Sequence, residues 1–424
     1  MRVLASAYCC SPFEGSEHYS GHHFISQIGR HAEVTVLVPA QLRGALERWP
    51  HRESVSFEYV PTPLYVPWER AAAGRFLLPA VSYYLFSALA YGAGRRLART
   101  RGFDVGHHLT IANYRFPSLL PFLTAPSVLG PLGGGEVSPA GLETVSRYSR
   151  IRRVSLALAD GDPVLRGSLR RARRLLVANA DTGTRLGAEN RSKLELMMYG
   201  FDAAEVPSAR TEPCRGGPFT ILCVSRLVRH KGVDLLVRAV PAIAAALGGS
   251  LRVLVFGEGS EASRLHTLAR AVGADRYVQL AGRVSRHDLL RMYGESDAFC
   301  LPSLRDTCPV ALLEAMAAGL PVVVLDVSGP AHIVADGCGI RVRPSNPSAT
   351  VAGLVEALVR VGRDRDLGQT LGEGGRMRVL RDFTWDSRGD RLAAIYSEIL
   401  GALVPRPAKE PAVQHNAGHW LTIG

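Results

Sequence analysis

The chain of 424 residues has seven cysteines, an odd number, and no two of them form a CxxC pair. This removes the commonest zinc and dithiol signatures and the even disulfide framework of a small secreted domain. The first ten residues, MRVLASAYCC, lack the apolar run of a signal peptide, so a reducing cytoplasm is the expected location. Zinc-finger spacing, an RNP-like aromatic motif and a basic heptad helix are also missing, which sets nucleic acid aside as a partner. Acidic residues are in deficit: the formal net charge is +12, and the surplus is mainly arginine. Between positions 147 and 174, nine arginines face only Asp160 and Asp162. Anionic lipid and phosphorylated small molecules both suit that balance.

Long hydrophobic runs are scarce. The best is FLLPAVSYYLFSALAYGAG, 76–94, nineteen uncharged residues between Arg75 and Arg95. Its length reaches that of a membrane span, but Pro79, Gly92, Gly94 and three tyrosines weaken it. A buried domain helix is the favoured reading, then a helix at the membrane surface, with a true span last. Contact with the inner face of a membrane therefore stays open. What is present in abundance is core: 47% of residues are hydrophobic, enough over this length for two or three domains.

Short β-branched runs at 2–8 and 33–39 bracket a glycine-bearing loop and a helical stretch, which is a βαβ opening. Runs at 103–109, 126–135 and 173–180 continue the series. Residues 205–217, EVPSARTEPCRGG, collect proline, glycine and charge without periodicity and read as a linker. A second series follows at 219–227, 251–259, 277–284, 298–303 and 321–326, separated by helical periods. Parallel strands need crossover helices, so the pattern predicts two consecutive α/β units with parallel sheets. Ligands of such sheets sit beyond the carboxyl ends of the strands.

Those strand ends carry the chemistry. SRLVRHKG, 225–232, follows a strand and opens a helix, placing Arg226 and Lys231 where amides and the helix dipole favour an anion. FGEGSE, 256–261, offers Gly257 at a second strand end, and GSEHYSG, 15–21, offers Gly15 and Ser16 in the first unit; turn chemistry alone accounts for both equally well. In DTCPVALLEAMAAGLPVV, 306–323, Pro309 fits the first position of a helix and Gly319 the left-handed residue after its end. Glu314 then lies inside that helix among Val310, Leu313, Ala317 and Ala318. An unpaired carboxylate there costs several kcal/mol, so a polar partner is required. HHLT, 107–110, puts two histidines at a strand end, and GPLGGGE, 130–136, puts Gly134 and Glu136 at another.

Taken in order, these stretches resemble the family 4 retaining glycosyltransferases of the GT-B fold. The likeness covers most of the chain and is strongest from 219 to 343, where RL…KG matches Arg226 and Lys231 and PSLRDTCPVALLEAMAAGLPVV matches the E-x7-E pattern. It implies two Rossmann-like domains whose parallel sheets face an interdomain cleft. Residues 1–205 would form the acceptor-binding domain, completed by the terminal helix 385–402, and residues 218–384 the donor-binding domain. Glu314 would accept hydrogen bonds from the ribose of a nucleoside-diphosphate sugar, with Thr307, Cys308, Pro309 and Val310 alongside, and Asp306 would meet the transferred sugar. Arg226 and Lys231 would hold the diphosphate, and the backbone at Arg283 and Val284 the base. Uracil is the base the resemblance favours, with guanine left open.

The same resemblance assigns a sugar-facing histidine, for which His108 is preferred to His107, and an acceptor-side wall at Gly134 and Glu136. It implies retaining transfer on one face of the sugar, with no side-chain nucleophile, no cofactor beyond the donor and no metal. The acceptor, a sugar, aminocyclitol, natural product or lipid-linked sugar, is left open. Asp306 stands where the family usually has glutamate, and Pro309 replaces a frequent glycine. These departures leave room for a sugar-nucleotide-binding or membrane-associated protein with little turnover. Epimerases and phosphorylases share the two-domain plan but not the LEAMA helix with an acid eight residues upstream.

Overall fold

The computed structural model describes residues 1–13, 17–50, 52–67, 77–123, 126–139, 141–142, 156–157, 159, 161–206 and 217–401. Gly15, Ser16, the linker core 207–216 and the arginines from 147 to 153 lie outside the described residues.

The first sheet contains β1 (Arg2–Ala7), β2 (Glu33–Pro39), β3 (Val55–Val60), β4 (Val105–Thr110), β5 (Ser127–Leu132), β6 (Arg174–Val177) and β7 (Leu194–Leu196) in the order β3-β2-β1-β4-β5-β6-β7. The second contains β8 (Phe219–Val224), β9 (Leu251–Phe256), β10 (Val278–Gly282), β11 (Ala298–Leu301), β12 (Val322–Leu325) and β13 (Ile340–Val342) in the order β10-β9-β8-β11-β12-β13. All the pairings are parallel, from Val3 beside Val34 and Val105 to Phe299 beside Val322. Helices cover both faces of such a sheet, so β5 and β12 are buried at every position and read as continuous apolar runs. The sequence reading misses β3, β7 and β13. Each is an edge strand that leaves part of its length to solvent, and β7 and β13 have only three residues.

Seven helices position the site: α1 (Glu17–His31), α2 (Leu77–Thr100), α3 (Pro163–Arg171), α4 (Val233–Ala246), α5 (Arg286–Glu295), α6 (Val310–Ala317) and α7 (Trp385–Ile399). Residues 77–94 of the uncharged run belong to α2, whose Tyr83, Phe86, Ala90 and Ala93 pack on Leu4, Leu37 and Val60 of the first sheet. No helix among the described residues is long and apolar enough to cross a membrane. The last helix returns to the first sheet: Trp385, Leu392, Ile395 and Tyr396 share a core with Phe24, Ile25 and Ile28 of α1. The chain crosses between the units at Phe201, whose N–H donates to Phe383 O at 3.0 Å and whose carbonyl accepts from Trp385 N–H at 3.3 Å.

Candidate functional site

The carboxyl ends of the two sheets meet. Thr307, on the loop after β11, donates its hydroxyl to Glu136 Oε1 at 2.5 Å, and Glu136 lies on the loop after β5. Ser328, after β12, donates to Asp181 Oδ2 at 2.6 Å, and Asp181 lies after β6. The loops bearing the sequence motifs therefore border one interdomain cleft.

On the second sheet, the backbone of the SRLVRHKG loop depends on glycine at two close approaches. Gly232 has φ +62°, and a Cβ there would stand 2.1 Å from Pro302 O; Gly257 has φ +137°, and its Cβ would stand 1.9 Å from Ser225 O. Only glycine lets the loops after β8, β9 and β11 stack this tightly. The stacking brings Lys231 onto Asp306: Nζ donates to Oδ2, and both side chains are nearly buried, at 11% and 12% exposure. Arg226 is exposed at the edge of the same loop.

Glu314 finds the polar partner that its apolar surroundings demand. Arg286 Nη1 donates to Oε1 at 2.5 Å and Tyr293 Oη to Oε2 at 2.9 Å, both from α5. Arg286 also reaches Glu205 Oε2 at 2.8 Å, on the last described turn before the linker. Burial raises the Glu314 pKa, and the Arg286 guanidinium only partly offsets it. Burial lowers that of Arg286, but the Glu314 and Glu205 carboxylates outweigh it and hold the guanidinium above its usual range. The two acids of the motif thus have separate cations, Lys231 for Asp306 and Arg286 for Glu314.

The segment between them differs from the sequence expectation at one position. Pro309 is the N-cap of α6, with φ −73° and ψ 105°, and the helix starts at Val310. Its carbonyl accepts from Leu312 N–H at 3.0 Å, which the extended ψ of an N-cap permits. Gly319 has φ +78°, the left-handed residue expected past the helix end. The Cys308 thiol faces Tyr199 O at 3.8 Å, and burial pushes its pKa up to about 12. Arg283 is exposed, and Val284 is half-buried against the core that contains Leu312 and Leu313. Gly282 O accepts from Gly257 N–H at 2.8 Å, so this segment flanks the Gly257 loop.

In the first domain the histidine expectation meets a different arrangement. His107 is closed off entirely: Nδ1 meets Tyr396 Oη at 2.5 Å and Nε2 meets Gly130 O at 2.9 Å, so the tautomer donates to the carbonyl and accepts from the phenol. Burial lowers its pKa to about 3. His108 points to the opposite face, as the alternation of a strand requires, with Nε2 3.5 Å from Tyr83 Oη and burial lowering its pKa to about 4. Both rings are sealed, at 0% and 2% exposure, so neither opens to the cleft. The backbone that meets the second domain is further along: a Cβ on Gly133 would stand 3.2 Å from Thr307 Cγ2 and 3.4 Å from Ala112 O.

Gly134 has φ +94° and donates its N–H to Glu136 Oε1 at 3.0 Å, while Asn179 Nδ2 donates to the same oxygen at 2.7 Å. Burial pushes the Glu136 pKa up, but the bonds from Thr307, Gly134 and Asn179 win and hold it below the usual range. The Glu136 carboxylate is therefore a tie between the domains. Among the described residues no group of three or more His, Cys, Asp or Glu is placed to hold a metal ion. A cavity of about 760 Å³ lies between helices of the second domain and Gly141 and Leu142 of the first, beside Arg229 and Leu304, and none of Lys231, Asp306 or Glu314 lines it.

Sequence reasoning missed Arg286, Tyr293, Asn179, Asp181, Ser328 and Tyr19. Only one had a signal: Arg286 opens a helix just after the GRV segment. Tyr19, on the first turn of α1, feels the charges of Glu205, Glu314 and Arg286 across the cleft, and its phenol pKa is raised mainly by burial.

Residues 209–375 match the family model described as glycosyl transferases group 1. Over 237 residues the chain is 30% identical to a glycogen synthase of Mycobacterium tuberculosis, covering 55% of this chain and 56% of that protein. Over 317 residues it is 29% identical to the GDP-mannose-dependent alpha-(1-6)-phosphatidylinositol monomannoside mannosyltransferase of the same species, covering 71% and 69%. The chain thus spans a little over half of the glycogen synthase and about two thirds of the mannosyltransferase. Among solved structures, the sucrose-phosphate synthase of Thermosynechococcus elongatus superimposes with a TM-score of 0.67 at 18% identity, over 94% of this chain and 99% of that one. Anabaena HepE in complex with UDP and glucose gives 0.61 at 15% identity, over 94% and 100%. The two sheets facing one cleft are the GT-B fold, and residues 209–375, most of its second unit, are similar to glycosyl transferases group 1.

Proposed function

We propose that the chain is a retaining, family 4 glycosyltransferase that moves a sugar from a nucleoside diphosphate, UDP in the first instance, to a hydroxyl of a small-molecule or lipid-linked acceptor. The observation that carries this reading is the nearly buried Lys231–Asp306 pair, held beside the start of α6 by Gly232 and Gly257. A cation fixed there, with Arg226 at the loop edge, suits the charge that grows on a departing diphosphate. In the transfer, the bond from the anomeric carbon to the diphosphate oxygen breaks as the acceptor oxygen bonds to the same face. The acceptor's proton passes to the leaving diphosphate, so no side-chain nucleophile or metal is required. Glu314 holds the ribose, and Asp306 exchanges Lys231 for a sugar hydroxyl as the donor enters. The relative named as GDP-mannose-dependent makes guanine the competing base, and the phosphatidylinositol monomannoside in its name supports a lipid-linked acceptor reached by peripheral membrane contact.

The test incubates the purified chain with UDP- and GDP-sugars and measures thermal stabilisation and nucleoside diphosphate release. A donor at 100 times its dissociation constant adds about 2.7 kcal/mol. Stabilisation with release, and an unchanged anomeric configuration in the product, is the expected result. Stabilisation without release on any acceptor would leave a binding protein of little turnover, and inversion would remove the retaining assignment.

A further inference from the structure

We infer that the outer face of α2, continued by α3, is a docking surface for an anionic lipid bilayer. The surface deepens the peripheral contact proposed above, but it is read from the first domain alone. One face of α2 is buried on the sheet; the other leaves large apolar side chains in water, with Leu78 58%, Val81 46%, Tyr84 45% and Leu89 38% exposed. Leu78, Val81 and Tyr84 follow at steps of three and exposed Ala88 and Gly92 at steps of four, with Leu89 beside them, which makes one stripe along the helix. Such a stripe is unusual on a water-facing helix and marks an interaction site.

The charges around it decide the partner. The stripe runs into exposed Arg95, Arg96 and Arg99, and exposed Arg166, Arg170 and Arg171 stand on neighbouring α3. The turn Leu120–Phe122 links the two helices: a Cβ on Gly94 of α2 would stand 2.7 Å from Leu123 Cδ1 and one on Gly167 of α3 3.1 Å from Phe122 Cζ, and Arg171 lies 4.4 Å over the ring of Phe122, itself 36% exposed. Apolar side chains flanked by arginines, on a chain of net charge +12, fit lipid headgroups of negative charge and the acyl boundary beneath them. The placement also suits the cleft. Ser82, on the apolar half of α2, meets Tyr8 Oη at 2.6 Å just past the carboxyl end of β1, so the apolar half lies at the cleft end of the sheet.

The test sediments the full chain with sucrose-loaded vesicles of phosphatidylcholine alone, or mixed in equal parts with phosphatidylglycerol, at physiological salt. Each surface arginine contributes about fivefold to anionic membrane affinity. The parent should bind the mixed vesicles at least tenfold more tightly than the neutral ones. Val81→Glu and the double variant Arg96→Glu/Arg99→Glu should each lose at least tenfold, with unchanged melting temperatures. Should Val81→Glu fold poorly, Leu78→Ser gives the same reading. Equal sedimentation of parent and variants, a parent that stays in the supernatant with both vesicles, or a vesicle-free dimer that Val81→Glu dissolves would each overturn the assignment. Because sedimentation is read without a donor sugar, it can fail while transfer succeeds, and the reverse.

Discussion

Arg286 Nη1 stands 2.5 Å from Glu314 Oε1, while the other end of the same guanidinium grips Glu205 at 2.8 Å. The acid that the proposed reaction assigns to the donor's ribose is thus held by a cation tied to the interdomain linker. Glu314 is 4% exposed and Arg286 is half in solvent, so the pair does not recover all that burial takes from the carboxylate.

The raised Glu314 pKa fixes a sign. The folded protein binds that proton more tightly than the unfolded chain, so it loses stability as pH rises from the unfolded carboxylate value through the folded one. Glu314→Gln removes the loss: its melting temperature at pH 7 should equal or exceed the parent's, and the difference should shrink as pH is lowered into the carboxylate range. Affinity for the nucleoside diphosphate should fall by about tenfold or more, the scale of a charged hydrogen bond. Calorimetric titration with UDP alongside melting curves reads both; a variant that is unstable at pH 7 yet binds normally contradicts the assignment.

Lys231 and Asp306 are paired, and the proposed reaction has the donor separate them, so their variants should diverge. Lys231→Ala should reduce turnover by about a hundredfold or more, the scale of one preorganised charge-stabilising donor. Asp306→Asn frees Lys231 for phosphate: affinity for the bare diphosphate should hold or tighten, while transfer falls roughly ten- to a hundredfold. Weaker binding of both diphosphate and nucleotide sugar by Asp306→Asn would remove Asp306 from the sugar side.

Glu136 carries the opposite sign to Glu314. Its lowered pKa means that its contribution to stability is present above the unfolded carboxylate value and is lost as pH falls through the folded one. Glu136→Gln should therefore melt below the parent at neutral pH, with the gap closing in acid. One charged hydrogen bond, worth about 1.5–3 kcal/mol, sets the size. Thr307→Val should produce part of the same loss, because its hydroxyl is one of three donors to a single oxygen. Parallel melting curves of parent and variants against pH would expose a carboxylate that contributes nothing.

His107 is joined to Tyr396 of the returning helix α7, and its ring is closed to the cleft. Tyr396→Phe strands Nδ1 in a fully buried site and should cost about 1–3 kcal/mol of stability. Activity per folded molecule should stay within twofold. A loss of turnover at unchanged stability would instead give His107 a place in the reaction.

The fold class was legible because parallel strands buried on both faces must be short apolar runs, and β1, β8 and β12 could be nothing else. Gly319 and the helix behind Pro309 were legible for a similar reason: chain ends and left-handed turns restrict residue type locally. Glu314 was legible only as a question, since its apolar neighbours required a partner that periodicity does not name. The partner lies on another helix: Arg286 is 28 positions away, and no rule of spacing along one helix relates α5 to α6. The two histidines show the same limit. The sequence placed them at a strand end, but which face each takes is set by register, and whether a face opens to the cleft is set by what packs there. Tyr396, 289 positions on, closes one, and Tyr83 on α2 covers the other. The amino-acid sequence thus determined which residues had to be buried and where the backbone needed glycine. Only the tertiary structure decided which charge meets which, because a desolvated carboxylate is satisfied by the nearest donor in space, however distant in the chain.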